Sequence, residues 1–308
     1  MDSFTRNSTI VCPHLGVRGR VRGWSNTYLL MPLLLFLGSC SLIQPPVNIP
    51  SYIRVQSYTV MATPSQGTAS ANITDVWVDD NTDYRGIYQV PVSVPILKTG
   101  PTTISLQAVV QEDGIVSNLL PYPFYTTYTV KNVNLQAGKL DTINPVFYYN
   151  PGVTKFAWPE GDFEGTNPLH ATSLNTANAF ITTVKDSVFE GQKSYEVNLS
   201  PGHDTFSVTS PSTPFSPPGS YVVWLEMNYK TDVPMDVGFI SLTANSNPST
   251  QEFVSGVNPT STWKKVYINI GAPLLYYNQN PYFQIYFYAT APGNAHIFID
   301  NLKLLYLE

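Results

Sequence analysis

From Tyr221 to Lys230 the chain alternates strictly. Tyr221, Val223, Leu225, Met227 and Tyr229 fall on one side of an extended backbone, and Val222, Trp224, Glu226, Asn228 and Lys230 on the other. Successive side chains of a strand point to opposite faces, so this spacing suits a half-buried strand and no helix. The same period returns in Tyr282–Thr290, where Phe283, Ile285, Phe287 and Ala289 make the apolar face and Tyr282, Gln284, Tyr286 and Tyr288 the opposite one. In Lys264–Ile270, Val266, Ile268 and Ile270 oppose Lys265, Tyr267 and Asn269. Runs of this kind, broken by Pro, Gly, Asn and Ser, recur from Tyr52 onward, and no stretch there sustains helical spacing. An all-β chain of antiparallel sandwiches follows.

The first 40 residues read differently. Arg18, Arg20 and Arg22 precede an apolar run, Tyr28 to Leu37, that closes in Leu37-Gly38-Ser39-Cys40. About ten apolar residues are too few to cross a bilayer as a helix, which takes about 20. A positive flank, a short apolar segment and small residues before a cut are the parts of a secretory signal. The segment resembles the bacterial lipobox, and the resemblance implies a diacylglyceryl thioether on Cys40, hence a membrane partner through a lipid anchor. Residues 1–39 are then the signal peptide and 40–50 the lipidated cysteine with a proline-rich tether, which reaches at most roughly 35 Å. Ser41 after the cysteine is compatible with the outer membrane. The absence of acidic residues between Cys40 and Asp75 favours its periplasmic side over the cell surface.

Cleavage before Cys40 removes four of the 16 basic residues and one of the 21 acidic ones, leaving a formal net charge of −8. Only Lys264 and Lys265 are adjacent cations, so a phosphate-binding surface and a nucleic-acid partner are not expected. With Cys12 removed and Cys40 acylated, no thiol remains for a disulfide, a metal or a nucleophile.

Two domains are expected after the tether. Residues 51–152 form a small sandwich with strands at Tyr52–Met61, Ile73–Val78, Thr102–Val109, Tyr125–Leu135 and Asp141–Tyr149. A strand ending in Val78-Asp79-Asp80, a glycine turn at Gly86, the segment Val90-Pro91-Val92-Ser93-Val94-Pro95 and a second glycine turn at Gly100 resemble the Ig/transthyretin-like sandwiches of surface-layer and carboxypeptidase-regulatory type. Asp79, Asp80, Asp83 and Glu112-Asp113 read as turn chemistry, because the spacing lacks the terminal glutamate of a helical calcium loop.

Residues 153–308 form the second domain. It opens on Asp162-Phe163-Glu164-Gly165 and closes on Ile299-Asp300-Asn301-Leu302. That bracket resembles the jelly-roll sandwiches of carbohydrate-binding modules. The resemblance implies that first and last strands lie side by side, and that Glu164 and Asp300, with Asp162, would hold a structural calcium ion. No other cofactor is expected.

If the three alternating strands share a sheet, its outer face carries Trp224, Glu226, Asn228, Tyr267, Tyr282, Tyr286 and Tyr288. Aromatic rings stack on sugar C–H surfaces while amides and carboxylates pair with hydroxyls. The same composition suits a protein interface, including one with the first domain. The loop Tyr276-Tyr277-Asn278-Gln279-Asn280 adds aromatics that fit either use.

The two-part layout also resembles a group of Bacteroidota lipoproteins without an assigned activity. The matching stretches are Ile49-Pro50-Ser51-Tyr52-Ile53, Ile73-Thr74-Asp75-Val76-Trp77-Val78, Tyr122-Pro123-Phe124-Tyr125 and Trp224-Leu225-Glu226-Met227-Asn228-Tyr229. The resemblance implies O-glycosylation at Asp-(Ser/Thr)-apolar triplets, which Thr142 and Ser187 fit.

An enzyme is not expected. No Gly-x-Ser-x-Gly occurs, His170, His203 and His296 lack metal-ligand spacing, and no carboxylate pair stands out. Two non-catalytic readings remain. The preferred one is a scaffold or accessory subunit of an outer-membrane assembly, with its aromatic face on an outer-membrane protein partner. The alternative is a glycan-binding lipoprotein using the same face.

Overall fold

A computed structural model of the chain describes residues 48–158, 161–214, 221–277 and 279–308. The signal segment, Cys40, most of the tether and Asn278 of the Tyr276–Asn280 loop lie outside the described residues. No described helix is long and apolar enough to cross a membrane.

The all-β expectation holds. Ten strands make up the N-terminal half: β1 (Ser51–Val55), β2 (Thr59–Met61), β3 (Asp75–Asp80), β4 (Asp83–Gln89), β5 (Val92–Ile96), β6 (Gly100–Gln111), β7 (Leu119–Pro121), β8 (Tyr128–Leu135), β9 (Leu140–Thr142) and β10 (Val146–Tyr148). A five-stranded sheet of order β4-β3-β6-β7, with β8 also on β6, faces a three-stranded sheet of order β5-β1-β9. Ile53, Val55, Val94 and Ile96 from the small sheet pack on Val76, Val78, Ile104 and Leu106 from the large one.

Two segments read from sequence as single strands are broken. Tyr52–Met61 divides into β1 and β2, and Asp141–Tyr149 into β9 and β10. Both breaks fall at one level, where Asn144 Oδ1 accepts the Ser57 N–H at 3.2 Å. Beyond it β2 and β10 leave the small sheet as a parallel pair of their own. The stretch between Asp79 and Pro101, read as two glycine turns on either side of a proline-flanked segment, carries β4 and β5. Pro95 sits in β5, an edge strand, where a missing N–H leaves no ladder position empty.

The C-terminal half contains β11 (Thr154–Phe156), β12 (His170–Ala171), β13 (Asn178–Thr182), β14 (Ser194–Leu199), β15 (Thr205–Thr209), β16 (Thr213–Pro214), β17 (Val223–Thr231), β18 (Met235–Leu242), β19 (Pro248–Val257), β20 (Thr260–Asn269), β21 (Tyr282–Thr290) and β22 (Ala295–Leu307). One sheet has the order β13-β14-β22-β17-β20 with β11 on β22, and the other β12-β15-β21-β18-β19 with β16 on β21. Their inner faces form one core that includes Val223, Leu225, Met227, Val266, Ile268, Phe283, Ile285 and Phe287. These are the apolar faces that the alternation defines.

First and last strands of this half do lie together. β11 pairs antiparallel with the end of β22, and farther on the Leu302 N–H donates to the Gly161 carbonyl at 2.7 Å. An added Cβ at Gly161 would fall 1.5 Å from the Leu302 carbonyl oxygen, so only glycine lets the chain pass.

Residues Ile49–Glu308 form one compact unit. A third apolar cluster joins its two halves: Val60, Val110, Tyr122, Phe124, Phe147 and Tyr149 pack with Trp224, Tyr267 and Leu305.

Candidate functional site

The alternating strands place the predicted aromatic face on two different sheets. Trp224, Glu226 and Asn228 on β17 and Tyr267 on β20 belong to the sheet of β22, whereas Tyr282, Tyr286 and Tyr288 on β21 belong to the facing sheet. The single surface expected from all seven residues is therefore not formed. Period two fixes which side of a strand a residue occupies, but not which strands become neighbours.

The β17/β20 portion is closed to solvent. Trp224 is 4% exposed, Asn228 2%, Tyr267 1% and Glu226 0%, because the N-terminal sandwich covers them. Tyr122 stacks edge-on against both Trp224 and Tyr267. Glu226 Oε1 accepts the Tyr122 hydroxyl at 2.6 Å, and both of its oxygens lie 3.1 Å from the Tyr149 hydroxyl. Lys265 Nζ stands 2.8 Å from Oε2. Lys303 Nζ donates to the Tyr149 hydroxyl at 3.1 Å and to the Thr68 carbonyl at 2.5 Å. Burial pushes the Glu226 carboxyl upward, but the cations of Lys265 and Lys303 and the Tyr122 hydroxyl outweigh it and hold it below the usual range. Burial draws the Lys303 ammonium down to about 8. This is an internal joint between the sandwiches.

The β21 portion is partly open, with Tyr288 half-buried over a buried Tyr286, and is completed by residues the sequence reading did not single out. Tyr286 and Tyr288 stack at 6.1 Å with 22° between their planes. Across the sheet, Gly238 on β18 pairs with Tyr286 on one side and with Phe253 on β19 on the other, while Asp236 pairs with Tyr288. A Cβ at Gly238 would meet the Glu252 carbonyl oxygen at 2.0 Å, so the floor there is bare backbone. The result is a groove of about 220 Å³ lined by Tyr286, Tyr288, Phe253, Asp236 and Gln251. Phe253 is 64% exposed, a large apolar ring held in water beside the groove. Tyr282 is exposed toward the other end of β21 and does not line it. The alternation Met235, Val237, Phe239 and the lone aromatic in the polar run Pro248–Ser255 were the available sequence signals.

The acidic trio behaves otherwise than a calcium set. Asp300 Oδ2 accepts the N–H groups of Phe189 and Glu190, both at 3.2 Å, and Oδ1 that of Asn301 at 2.8 Å. Glu164 Oε1 accepts the N–H groups of Gln192 and Lys193, and Asp162 Oδ1 that of Glu164. Through N–H donors, Asp300 fastens the 188–193 loop to the last strand and Glu164 fastens it to the opening segment. No group of three or more metal-binding side chains is gathered among the described residues. The donor set present does not fit a calcium ion, which needs six to eight oxygens turned toward one point. Burial raises the Asp300 carboxyl to about 7.

In the N-terminal half, Asp80 is held by Arg85 and Lys98, Lys98 also reaches Asp83, and Asp79 accepts the Trp77 indole N–H. Thr142 is exposed on the edge strand β9, and Ser187 is half-buried with its carbonyl accepting the Ser194 hydroxyl. The His203 ring faces the Thr176 carbonyl and the His296 ring faces Asn198 Oδ1.

No family model matches the sequence, and no curated protein matches it. Solved structures similar to it include a family 11 carbohydrate-binding module from Clostridium thermocellum, in complex with a β-1,3-1,4-mixed-linked tetrasaccharide. It has 16% identity over 49% of this chain and 95% of that one, with a TM-score of 0.35. TmCBM61 in complex with β-1,4-galactotriose has 14% identity over 50% and 99%, TM-score 0.35. A family 30 carbohydrate-binding module has 12% identity over 49% and 86%, TM-score 0.37. Likenesses of this size carry no argument about a ligand, so the functional case rests on the groove.

Proposed function

We propose that the protein is a non-catalytic glycan-binding protein of the bacterial envelope that takes a sugar chain in the groove of β18, β19 and β21. One observation carries this reading: the half-buried Tyr288, backed by the buried Tyr286 ring stacked on it, and an exposed Phe253 line one groove over a side-chain-free floor, with Asp236 and Gln251 beside them. Flat rings on both walls suit the C–H faces of a pyranose, and a carboxylate and an amide suit its hydroxyls. The acylated Cys40, the outer-membrane placement and its periplasmic side belong to the same proposal and are supported by the sequence signals alone.

Polysaccharide-array binding followed by titration calorimetry tests it. Tyr288→Ala and Phe253→Ala are each expected to weaken binding about tenfold, roughly 1.4 kcal/mol, with unchanged melting. A wild-type protein that binds no glycan, or variants that bind as well as wild type, would overturn the proposal.

The scaffold reading loses the surface on which it was based, since Trp224 and Tyr267 are buried inside the molecule. It retains one supporting observation. An apolar cleft of about 470 Å³ in the N-terminal half is bordered by Met61 and Tyr148, which are 49% and 50% exposed.

A further inference from the structure

A cleft of about 570 Å³, larger than the groove, lies where the two sandwiches meet. Its walls come from both halves: Asn72 and Asp113 from the first, Asn228, Trp263 and Lys264 from the second. The walls are braced. The Asn72 N–H donates to the Tyr267 hydroxyl at 2.9 Å, and Asp113 Oδ1 accepts the Asn269 N–H at 3.2 Å. The Trp263 ring lies 5.5 Å from Phe189 and 6.2 Å from Phe298, with Lys230 Nζ 5.8 Å from its centroid. An aromatic ring among amides and a carboxylate repeats the chemistry of the groove, and Lys264 adds an ammonium that the groove does not have.

Gly256 joins the two. It lines the cleft, is exposed, and pairs with Asp236 of the groove. A Cβ built on it would lie 3.6 Å from Asp236 Oδ1 and 3.8 Å from the Phe253 ring. The passage from groove to cleft thus crosses the one position on the end of β19 that carries no side chain.

We propose that groove and cleft form one channel over Gly256, and that its ligand is a linear polysaccharide bound along an internal stretch rather than by a single residue or chain end. This inference rests on the glycan reading above and adds to it the extended nature of the substrate and the part played by the N-terminal sandwich. Binding sites at the junction of two domains gain their walls from both, and the cleft is formed only when the sandwiches are docked.

The experiment compares affinities for cello-, manno- and galacto-oligosaccharide ladders, disaccharide to octasaccharide, among wild type, Gly256→Phe, Trp263→Ala and Tyr288→Ala. The backbone at Gly256 is in a region open to any residue and its nearest neighbours stand at ordinary contact distance, so the phenylalanine obstructs the passage without disturbing the fold. Wild type is expected to gain about tenfold or more in affinity with chain length. Gly256→Phe and Trp263→Ala should each abolish that gain while binding the shortest ligands as wild type does, and Tyr288→Ala should weaken binding at every length. Length-independent binding that Tyr288→Ala removes would overturn the channel and leave the glycan reading standing. Long ligands bound by Gly256→Phe and Trp263→Ala as tightly as by wild type would likewise overturn the channel alone. A wild type that binds none of the ladders would overturn both.

Discussion

At the scale of single residues, Glu226 shows how a charge can be kept in a dry place. It is fully buried, and Lys265, Tyr122 and Tyr149 surround it with donors. Attraction inside a protein compensates for lost hydration only while every partner is present. Glu226→Gln preserves the shape but leaves Lys265 and Lys303 buried without a counter-charge. It is expected to destabilise the protein by about 3 kcal/mol or more, read as a lower midpoint in urea unfolding. Replacing the acid together with its nearest cation, as in Glu226→Leu with Lys265→Met, should cost less than Glu226→Gln. Equal losses in the two proteins would show that packing, not charge, holds the joint. Glu226 also marks a limit of sequence reading. An outward-facing residue in an alternating strand looks the same whether it meets water or another domain, so the polar side of β17 read as a surface.

Among the elements, the 188–193 loop is held from two sides, by Asp300 of β22 and by Glu164 of the opening segment. Asp300 receives the N–H groups of Phe189 and Glu190 from the loop and that of its neighbour Asn301, and the charge that adds to its upward shift is Glu164 on the opening segment. The folded Asp300 carboxyl, at about 7, lies above the ordinary carboxylate value of 3.8, so the fold binds this proton more tightly than the unfolded chain does. The contribution is therefore complete at acid pH, below the unfolded value, and is lost as pH rises through about 7. Asp113, raised by burial to about 6, acts in the same direction. Lys303 has the opposite sign, because its lowered value makes stability rise with pH above about 8. Between pH 5 and pH 8 the melting temperature should fall by on the order of 5 °C, and Asp300→Asn should flatten that slope. The same melts with EDTA and with millimolar calcium should coincide; a rise with calcium would show that oxygen ligands assemble around the ion after all. Gly161 supplies a second element-scale test. Gly161→Ala drives a methyl into the Leu302 carbonyl, and a loss of at least about 2 kcal/mol is expected by denaturant titration.

For the whole molecule, legibility followed the range of the signal. Core faces such as Val223-Leu225-Met227 and Phe283-Ile285-Phe287 were readable because alternation is encoded within a few residues. The neighbours of β21 were not, since Gly238 and Phe253 reach Tyr286 only through pairing between distant strands, and β4 was hidden by its glycine and the prolines around it. The joint between the halves was least visible of all. It consists of Tyr122, Tyr149, Trp224 and Tyr267 meeting across some of the longest separations in the chain, and no local pattern announces it. That joint leads to the last prediction. An aromatic cluster shared by both sandwiches and enclosing a buried ion pair makes the separated halves expose both apolar surface and unpaired charge. The halves should therefore unfold together. Hydrogen exchange at increasing urea, read peptide by peptide, can separate them with Trp224 left in the joint: peptides from β3 and β6 report the first sandwich, and peptides from β18 and β21 the second. Both should show one transition at the same urea concentration as the circular dichroism. Adding Tyr122→Ala removes the ring that touches Trp224, Tyr267 and Glu226 at once, and should split the two transitions, with the first sandwich melting earlier. Two separate transitions in the otherwise intact joint would mean that the sandwiches are independent folding units resting against each other, and that the cleft between them is not permanently formed.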